Sequence, residues 1–251
     1  MNIKIVADPT ELAQVAAERF VSIANEAIAQ RCLFTVALSG GSTPKKLYEL
    51  LAGDQFKTRI EWAKCFFFFG DERNVSPDSD ESNFRMANEA MFARLGAQFL
   101  PSANVHRVKG EQPAADAASD YEQQLKDYFQ NELPCFDLIL LGMGDDGHTA
   151  SLFPGSAALE ENVRWFTENW AEKFGAYRLT LTFPVINNAR QVLFLIAGAE
   201  KQLVLSEILS GDGELKYPAQ RIAPTKGDLE WLIDKSAAPV NHQIRSSSVP
   251  N

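Results

Sequence analysis

The sequence predicts an α/β fold: an open, mostly parallel, twisted sheet flanked by helices on both faces. Two observations carry that prediction. Short apolar runs alternate with stretches whose apolar residues recur every three or four positions, which is the pattern of strands alternating with helices. The runs at 33–38, 65–69 and 137–141 also each feed a polar loop, at 39–43, 70–73 and 142–149. In a parallel sheet ligands bind beyond the carboxyl ends of the strands, so these distant loops are expected to converge on one crevice.

In chain order, residues 3–7 alternate as a strand, and Asp8-Pro9-Thr10-Glu11 opens a helix, with Asp8 as cap and Pro9 at the first helical position. Leu12, Ala16, Phe20, Ile23 and Ala27 give that helix one apolar face. The strand 33–38, the loop 39–43 and a helix 44–51 follow, then the strand 65–69 and a loop 70–73. Phe66–Phe69 reads as a strand buried on both faces. Helices are expected at about 82–95 and 113–132, a strand at 137–141, an extended segment at 178–183, a strand at 192–196, a helix at about 200–210 and a late strand at 231–233. Residues 1–234 form one domain in this reading, and 235–251, rich in serine with Pro239 and Pro250, read as a loosely held tail.

A chain of 251 residues with 45% hydrophobic residues is ample for a buried core. It has no apolar run long enough to span a membrane, and its N-terminus turns acidic too soon for a signal peptide, so a cytoplasmic protein is expected. Cys32, Cys65 and Cys135 lie in or beside apolar runs and read as buried thiols in a reducing compartment. A net charge of −9 without a basic block argues against nucleic acid and anionic lipid as partners. An anionic ligand then requires a few positioned cations.

The loops supply them. Ser39-Gly40-Gly41-Ser42-Thr43-Pro44 joins a strand to a helix whose first amides can bind an anion without net charge, Thr43 being the expected cap. A tight turn with an ordinary cap is the plainer alternative. The segment lacks the Gly-Lys-Ser/Thr ending of a Walker A loop, and Ser42-Thr-Pro-Lys45 has no Lys-Thr-Gly partner elsewhere for a β-lactamase reading. Asp71, Glu72 and Arg73 place three charges directly after a core strand; they form a structural ion pair, or Arg73 clamps a phosphate or carboxylate. Arg178, on an alternating segment, and Lys201, near the end of another strand, add two cations, though Arg178 taken alone reads as a solvated strand charge.

Gly142, Gly144 and Gly147 spell the dinucleotide fingerprint G-x-G-x-x-G. Phe153-Pro154-Gly155 cuts short the helix that fingerprint requires, and Asp145 and Asp146 would repel a pyrophosphate. The same loop carries His148, whose imidazole can accept and return a proton near neutral pH, with Asp146 two residues earlier to orient it. His106 and His242 lack such surroundings, and no His-x-x-x-His or Cys-x-x-Cys spacing offers a zinc site, so no metal is expected.

Together Ser39–Pro44, Gly70-Asp-Glu-Arg73, Ser82-Asn83, Gly142–Gly155, Arg178-Leu-Thr-Leu-Thr and the turn Gly198–Lys201 resemble the 6-phosphogluconolactonase family, over residues 39–201. The resemblance implies a Rossmann-like fold, similar to that of the glucosamine-6-phosphate deaminases. It implies an enzyme, without cofactor, that hydrolyses 6-phospho-D-glucono-1,5-lactone in the second step of the oxidative pentose phosphate pathway; its partner is a small phosphosugar lactone. His148 and Asp146 would then be catalytic. Ser39, Gly40, Gly41, Ser42, Thr43, Asp71, Arg73, Asn83, Arg178 and Lys201 would bind the substrate and its phosphate. Glucosamine-6-phosphate isomerase/deaminases share the phosphate loop and the Asp-Gly-His turn but carry a glutamate five positions after the histidine, where this chain has Phe153. A deaminase and a non-catalytic sugar-phosphate sensor are the two rival readings. An ammonia assay separates the first, and the intact histidine loop argues against the second.

Overall fold

The computed structural model describes residues 2–210 and 215–239. Its strands are β1 (Asn2–Val6), β2 (Phe34–Leu38), β3 (Cys65–Phe69), β4 (Asp71–Arg73), β5 (Leu138–Leu141), β6 (Phe166–Ala171), β7 (Ala176–Leu181), β8 (Gln191–Ile196) and β9 (Asp228–Asp234). The helices are α1 (Pro9–Arg31), α2 (Ser42–Leu51), α3 (Asn83–Ala87), α4 (Ala93–Leu95), α5 (Ala114–Tyr128), α6 (Phe183–Ile186) and α7 (Gln202–Ser210). Six strands make one parallel sheet in the order β1-β9-β8-β5-β2-β3, and β4-β7-β6 make a small antiparallel sheet beside it.

Helix α1 begins where the sequence places it. Asp8 accepts hydrogen bonds from the amides of Thr10 and Glu11, at 2.7 and 3.0 Å, and the Glu11 carboxylate accepts one from Ala7 at 2.6 Å, so three otherwise unpaired donors are satisfied. Leu12, Ala16, Phe20, Ile23 and Ala27 are buried. Phe20 meets Phe34 of β2 edge-on at 5.2 Å, which fastens the helix to the sheet through an aromatic pair.

Strand β3 is at the edge of the large sheet, yet it is not an open edge. Phe67 pairs with Val105 in an isolated bridge, and the His106 amide donates to the Phe67 carbonyl at 2.8 Å. The consecutive phenylalanines serve two faces, because side chains alternate along a strand. Phe67 packs against Trp62 and Phe92, whereas Phe68 packs against Tyr128, Phe129 and Phe136.

Five expectations need correction. Cys32 is exposed and Cys135 only partly buried, so of the three cysteines Cys65 alone is a buried thiol. Residues 71–73 are not a loop but strand β4. Gly70 is the joint: its amide donates to Leu38 of the large sheet, and its carbonyl accepts from Leu181 of the small one. Asp71 and Glu72 survive burial because each is hydrogen-bonded, which a charge-rich tetrapeptide does not reveal by itself. Helix 82–95 is interrupted, α3 and α4 being separated by a π-helical turn, Asn88–Phe92. Helix α2 starts at Ser42 and is capped by Gly41, at φ +106°, so Thr43 is inside it and is not its cap. Of the tail expected from 235, the described part turns back on the body: Ala237 is buried, and the Ala238 carbonyl accepts from Gln202 at 2.8 Å. Residues 240–251 lie outside the described residues.

Chain direction fixes where a ligand can enter. After β2 the chain moves outward to β3, and after β5, its neighbour on the other side, it proceeds toward the small sheet and then β8. The loops leaving β2 and β5 therefore diverge and open a crevice between them.

Candidate active site

That crevice is lined by Ser39 and Gly40 after β2, by Asp71 and Arg73 on β4, and by Gly142, Met143, Gly144 and His148 after β5. Ala150, Ser151 and Phe153 continue the same wall, and Phe174, Arg178 and Lys201 close the far side. The three segments that follow β2, β3 and β5 converge, as their positions at strand ends require. Gly41, Ser42 and Thr43 carry the chain from this cleft into α2 and do not line it. No side chain caps the first turn of α2, so its leading amides remain available to an anion.

His148 is built in by its own loop. Its Nδ1 lies 2.5 Å from Asp146 Oδ1, and its amide donates to the same oxygen at 3.2 Å. With Nδ1–H given to the carboxylate, Nε2 is left as a proton acceptor in a histidine that lines the cleft. Burial raises the Asp146 carboxyl, but its bond to His148 and the field of Lys173 outweigh this and hold it well below the ordinary carboxylate range. Lys173 reaches Asp145 at 2.5 Å and Asp146 Oδ2 at 3.4 Å. The Phe153 ring lies 4.5 Å from the imidazole, an apolar wall on one side of it.

Two of the loop's glycines, Gly144 and Gly147, make room for protein, whereas Gly142 has open space beside it in the cleft. A Cβ on Gly144 would stand 2.1 Å from His148 Nδ1, and one on Gly147, which sits at φ +74°, would meet Tyr217 at 2.4 Å. No helix follows Gly147; the chain instead makes a bridge between Thr149 and Leu152, with Ala150 in the left-handed region at φ +47°. A dinucleotide has no helix N-terminus to rest on here.

At the other end of the cleft Arg73 and Arg178 stand directly opposite each other in the β4–β7 ladder. Opposed residues share a face a few ångströms apart, and like charges so placed repel. Burial and then the field of Arg73 push the Arg178 guanidinium below its ordinary value. Glu81 Oε2 reaches Arg178 only at 4.0 Å, and Arg73 donates instead to the Glu81 carbonyl. Glu81, Asp71 and Glu72 act on Arg178 in the opposite sense, and the two guanidiniums leave N–H donors that an anion in the cleft can accept from. Lys201, brought in by a turn after β8 whose Gly198 has φ +107°, adds a third cation and is paired only loosely, with Glu200 at 3.9 Å.

Asp71 and Asn83 are bonded to one another and to the walls of the cleft. Asp71 accepts from Ser151 Oγ at 2.8 Å and from Asn83, so its carboxylate fastens β4 to the histidine loop while lining the cleft. Asn83 is buried, donates to the Asp71 backbone carbonyl at 2.9 Å, and fills the space a Gly40 side chain would need. Glu72 accepts from the amides of Asn83 and Phe84 and so anchors the start of α3. Met143, Ala150, Ser151 and Phe174 were not singled out from the sequence. Phe174 comes from the β6–β7 turn, Glu172–Phe174, and strand β6 before it has three consecutive polar residues, Thr167–Asn169, in place of the alternation that would mark a strand.

The parallel sheet, the cleft at its switch point, the His–Asp pair and the cations gathered beside it fit a sugar-phosphate enzyme. Residues 7–231 match the family model described as glucosamine-6-phosphate isomerases/6-phosphogluconolactonase, and the chain belongs to that family. Within it the chain is similar to the 6-phosphogluconolactonase of Synechocystis sp., 47% identical over 218 residues, covering 84% of this chain and 86% of that protein. It is 41% identical over 242 residues to the 6-phosphogluconolactonase of Nostoc sp., covering 94% and 96%. Among solved structures, 6-phosphogluconolactonase from Trypanosoma cruzi superposes with a TM-score of 0.81 at 33% identity, covering 94% of this chain and 95% of that one.

Proposed function

We propose that His148 and Asp146 carry out proton transfer in the hydrolysis of 6-phospho-D-glucono-1,5-lactone to 6-phospho-D-gluconate, a step of carbohydrate metabolism in the oxidative pentose phosphate pathway. The reaction fits the family and the relatives named above. The assignment of roles rests on one observation: the histidine, oriented by Asp146 at 2.5 Å, shares a cleft with the opposed pair Arg73 and Arg178.

Arg73, Arg178 and Lys201, with the Ser39–Gly40 turn beside them, bind the phosphate, which fixes the lactone carbonyl beside His148. Nε2 takes a proton from water as the oxygen attacks that carbonyl. When the tetrahedral intermediate collapses, the C–O bond to the ring oxygen breaks and the imidazolium returns the proton to that oxygen. Asp146 holds the imidazole in the Nδ1–H tautomer and favours the imidazolium while it exists. The new carboxylic acid then loses its own proton to solvent.

Phe153 separates this reading from that of a deaminase. It is buried and packed on the imidazole, so the place five residues beyond His148 holds no carboxylate for ring opening. A coupled assay on freshly generated lactone, corrected for spontaneous hydrolysis, is expected to show turnover. A parallel incubation with glucosamine 6-phosphate is expected to release no ammonia. Ammonia release without lactone turnover would reverse the assignment.

A further inference from the structure

The turn between β6 and β7 straddles the cleft and touches both of its ends. Its base is stiffened by the cross-strand pair Trp170 and Tyr177, whose rings are 5.1 Å apart, and Gly175 at φ +56° closes it. Phe174 lies over the Arg178 guanidinium at 5.0 Å and packs on Phe153 at 5.8 Å. Its neighbour Lys173 points the other way, to Asp145 and Asp146. This lysine contacts the carboxylate that orients the histidine, yet it does not line the cleft.

We propose that Lys173 is a positioning residue for proton transfer: its ammonium, brought across from another element, fixes the Asp146 carboxylate and restrains how readily His148 takes up a proton. The proposal rests on the reading of His148 as the base. Asp146 has two oxygens, and they are divided between two partners, Oδ1 to His148 and Oδ2 to Lys173. Without the lysine the carboxylate could rotate about its last bond, and the imidazole would lose its fixed direction. Without the cation, the negative charges of Asp145 and Asp146 would also act on the imidazole uncompensated. The other charged groups facing this pair are Lys201, which acts on Asp145, and the cleft residues Asp71, Arg73 and Arg178. They are unchanged by a substitution in the turn.

The test is a proton NMR titration of the histidine ring signals in the free protein, beside pH profiles of kcat/KM. The sequence has three histidines, which makes the signals assignable. In Lys173→Met the His148 midpoint is expected to rise by roughly half to one pH unit, the size of one removed charge at this range in a half-exposed setting. The acid limb of kcat/KM should move up by the same amount, and Lys173→Arg should restore both. His106, stacked on Phe68 at 4.4 Å, reports whether the fold is intact, and Lys173→Gln repeats the test if the methionine variant does not fold. A His148 midpoint equal to the wild type in a folded variant overturns the proposal. A raised KM with an unmoved limb also overturns it, leaving the turn as cleft wall only. A shifted midpoint in a protein whose kcat does not depend on His148 would instead sustain the electrostatic coupling and sink the mechanism.

Discussion

Replacing Arg178 by Met separates binding from folding. The guanidinium is nearly enclosed, its side chain being 10% exposed, and it faces Arg73 across the ladder with Glu81 at 4.0 Å. Methionine keeps the stem that packs beneath Phe174 and removes the charge. A hydrogen bond to a charged group contributes about 1.5–3 kcal/mol, so KM is expected to rise roughly tenfold to a hundredfold while kcat changes little. Stability should behave differently. Relief of the opposed like charges gains about 0.2–1 kcal/mol, and the lost contact with the Phe174 ring costs about 0.5–1 kcal/mol, so the two nearly cancel. At about 2–4 °C per kcal/mol for a chain of this size, Tm should stay within about 2 °C of the wild type. Inorganic phosphate is the probe. At about a hundred times its Kd it should stabilise the wild type by about 2.7 kcal/mol, and the variant should respond far less at the same concentration. An unchanged KM together with a Tm lower by more than about 5 °C would show Arg178 to be a structural ion-pair partner and refute the anion site.

Two further substitutions probe the histidine loop. Gly144→Ala places a methyl 2.1 Å from His148 Nδ1, so the imidazole must leave Asp146; steady-state kinetics should show kcat lower by about a hundredfold or more with a smaller change in KM. Asp146→Asn probes the pair by pH. A carboxyl held below its ordinary value contributes stability that is fully present above the unfolded value of 3.8 and is lost as pH falls through the folded value. Urea unfolding should therefore show the asparagine variant destabilised at pH 7, with the gap to wild type shrinking steadily below about pH 3.8; a gap independent of pH would deny the charge-stabilised pair.

Much of the fold is legible because hydrophobic period and caps are local properties. Pro9 after Asp8, and the apolar runs of β2, β3 and β5, place those elements within a few residues of where they lie. The small sheet is not legible, since β4 is three charged residues whose burial depends on distant partners: Ser151 for Asp71, and the α3 amides for Glu72. Its strand β6 mixes Glu168 and Asn169 with Phe166 and Trp170 and so gives no clean apolar face. The site follows the same division. His148, Asp146, Arg73, Arg178 and Lys201 meet in or beside one cleft because each is close to a strand end, and chain topology does the gathering. Asn83 is a buried brace behind Gly40, a role set by a close approach between segments that no spacing reveals. Lys173 was missed for a similar reason: its partners are 27 and 28 residues away in the chain.

The measurement closest to the central claim is the turnover of His148→Ala on freshly generated lactone, read beside its thermal response to inorganic phosphate. Loss of a general base typically costs about 10²–10⁴ in rate, so kcat should fall by that factor, while phosphate should raise Tm as much as it does in the wild type. A kcat near the wild-type value in a variant that still binds phosphate would contradict the assignment of His148 as the base.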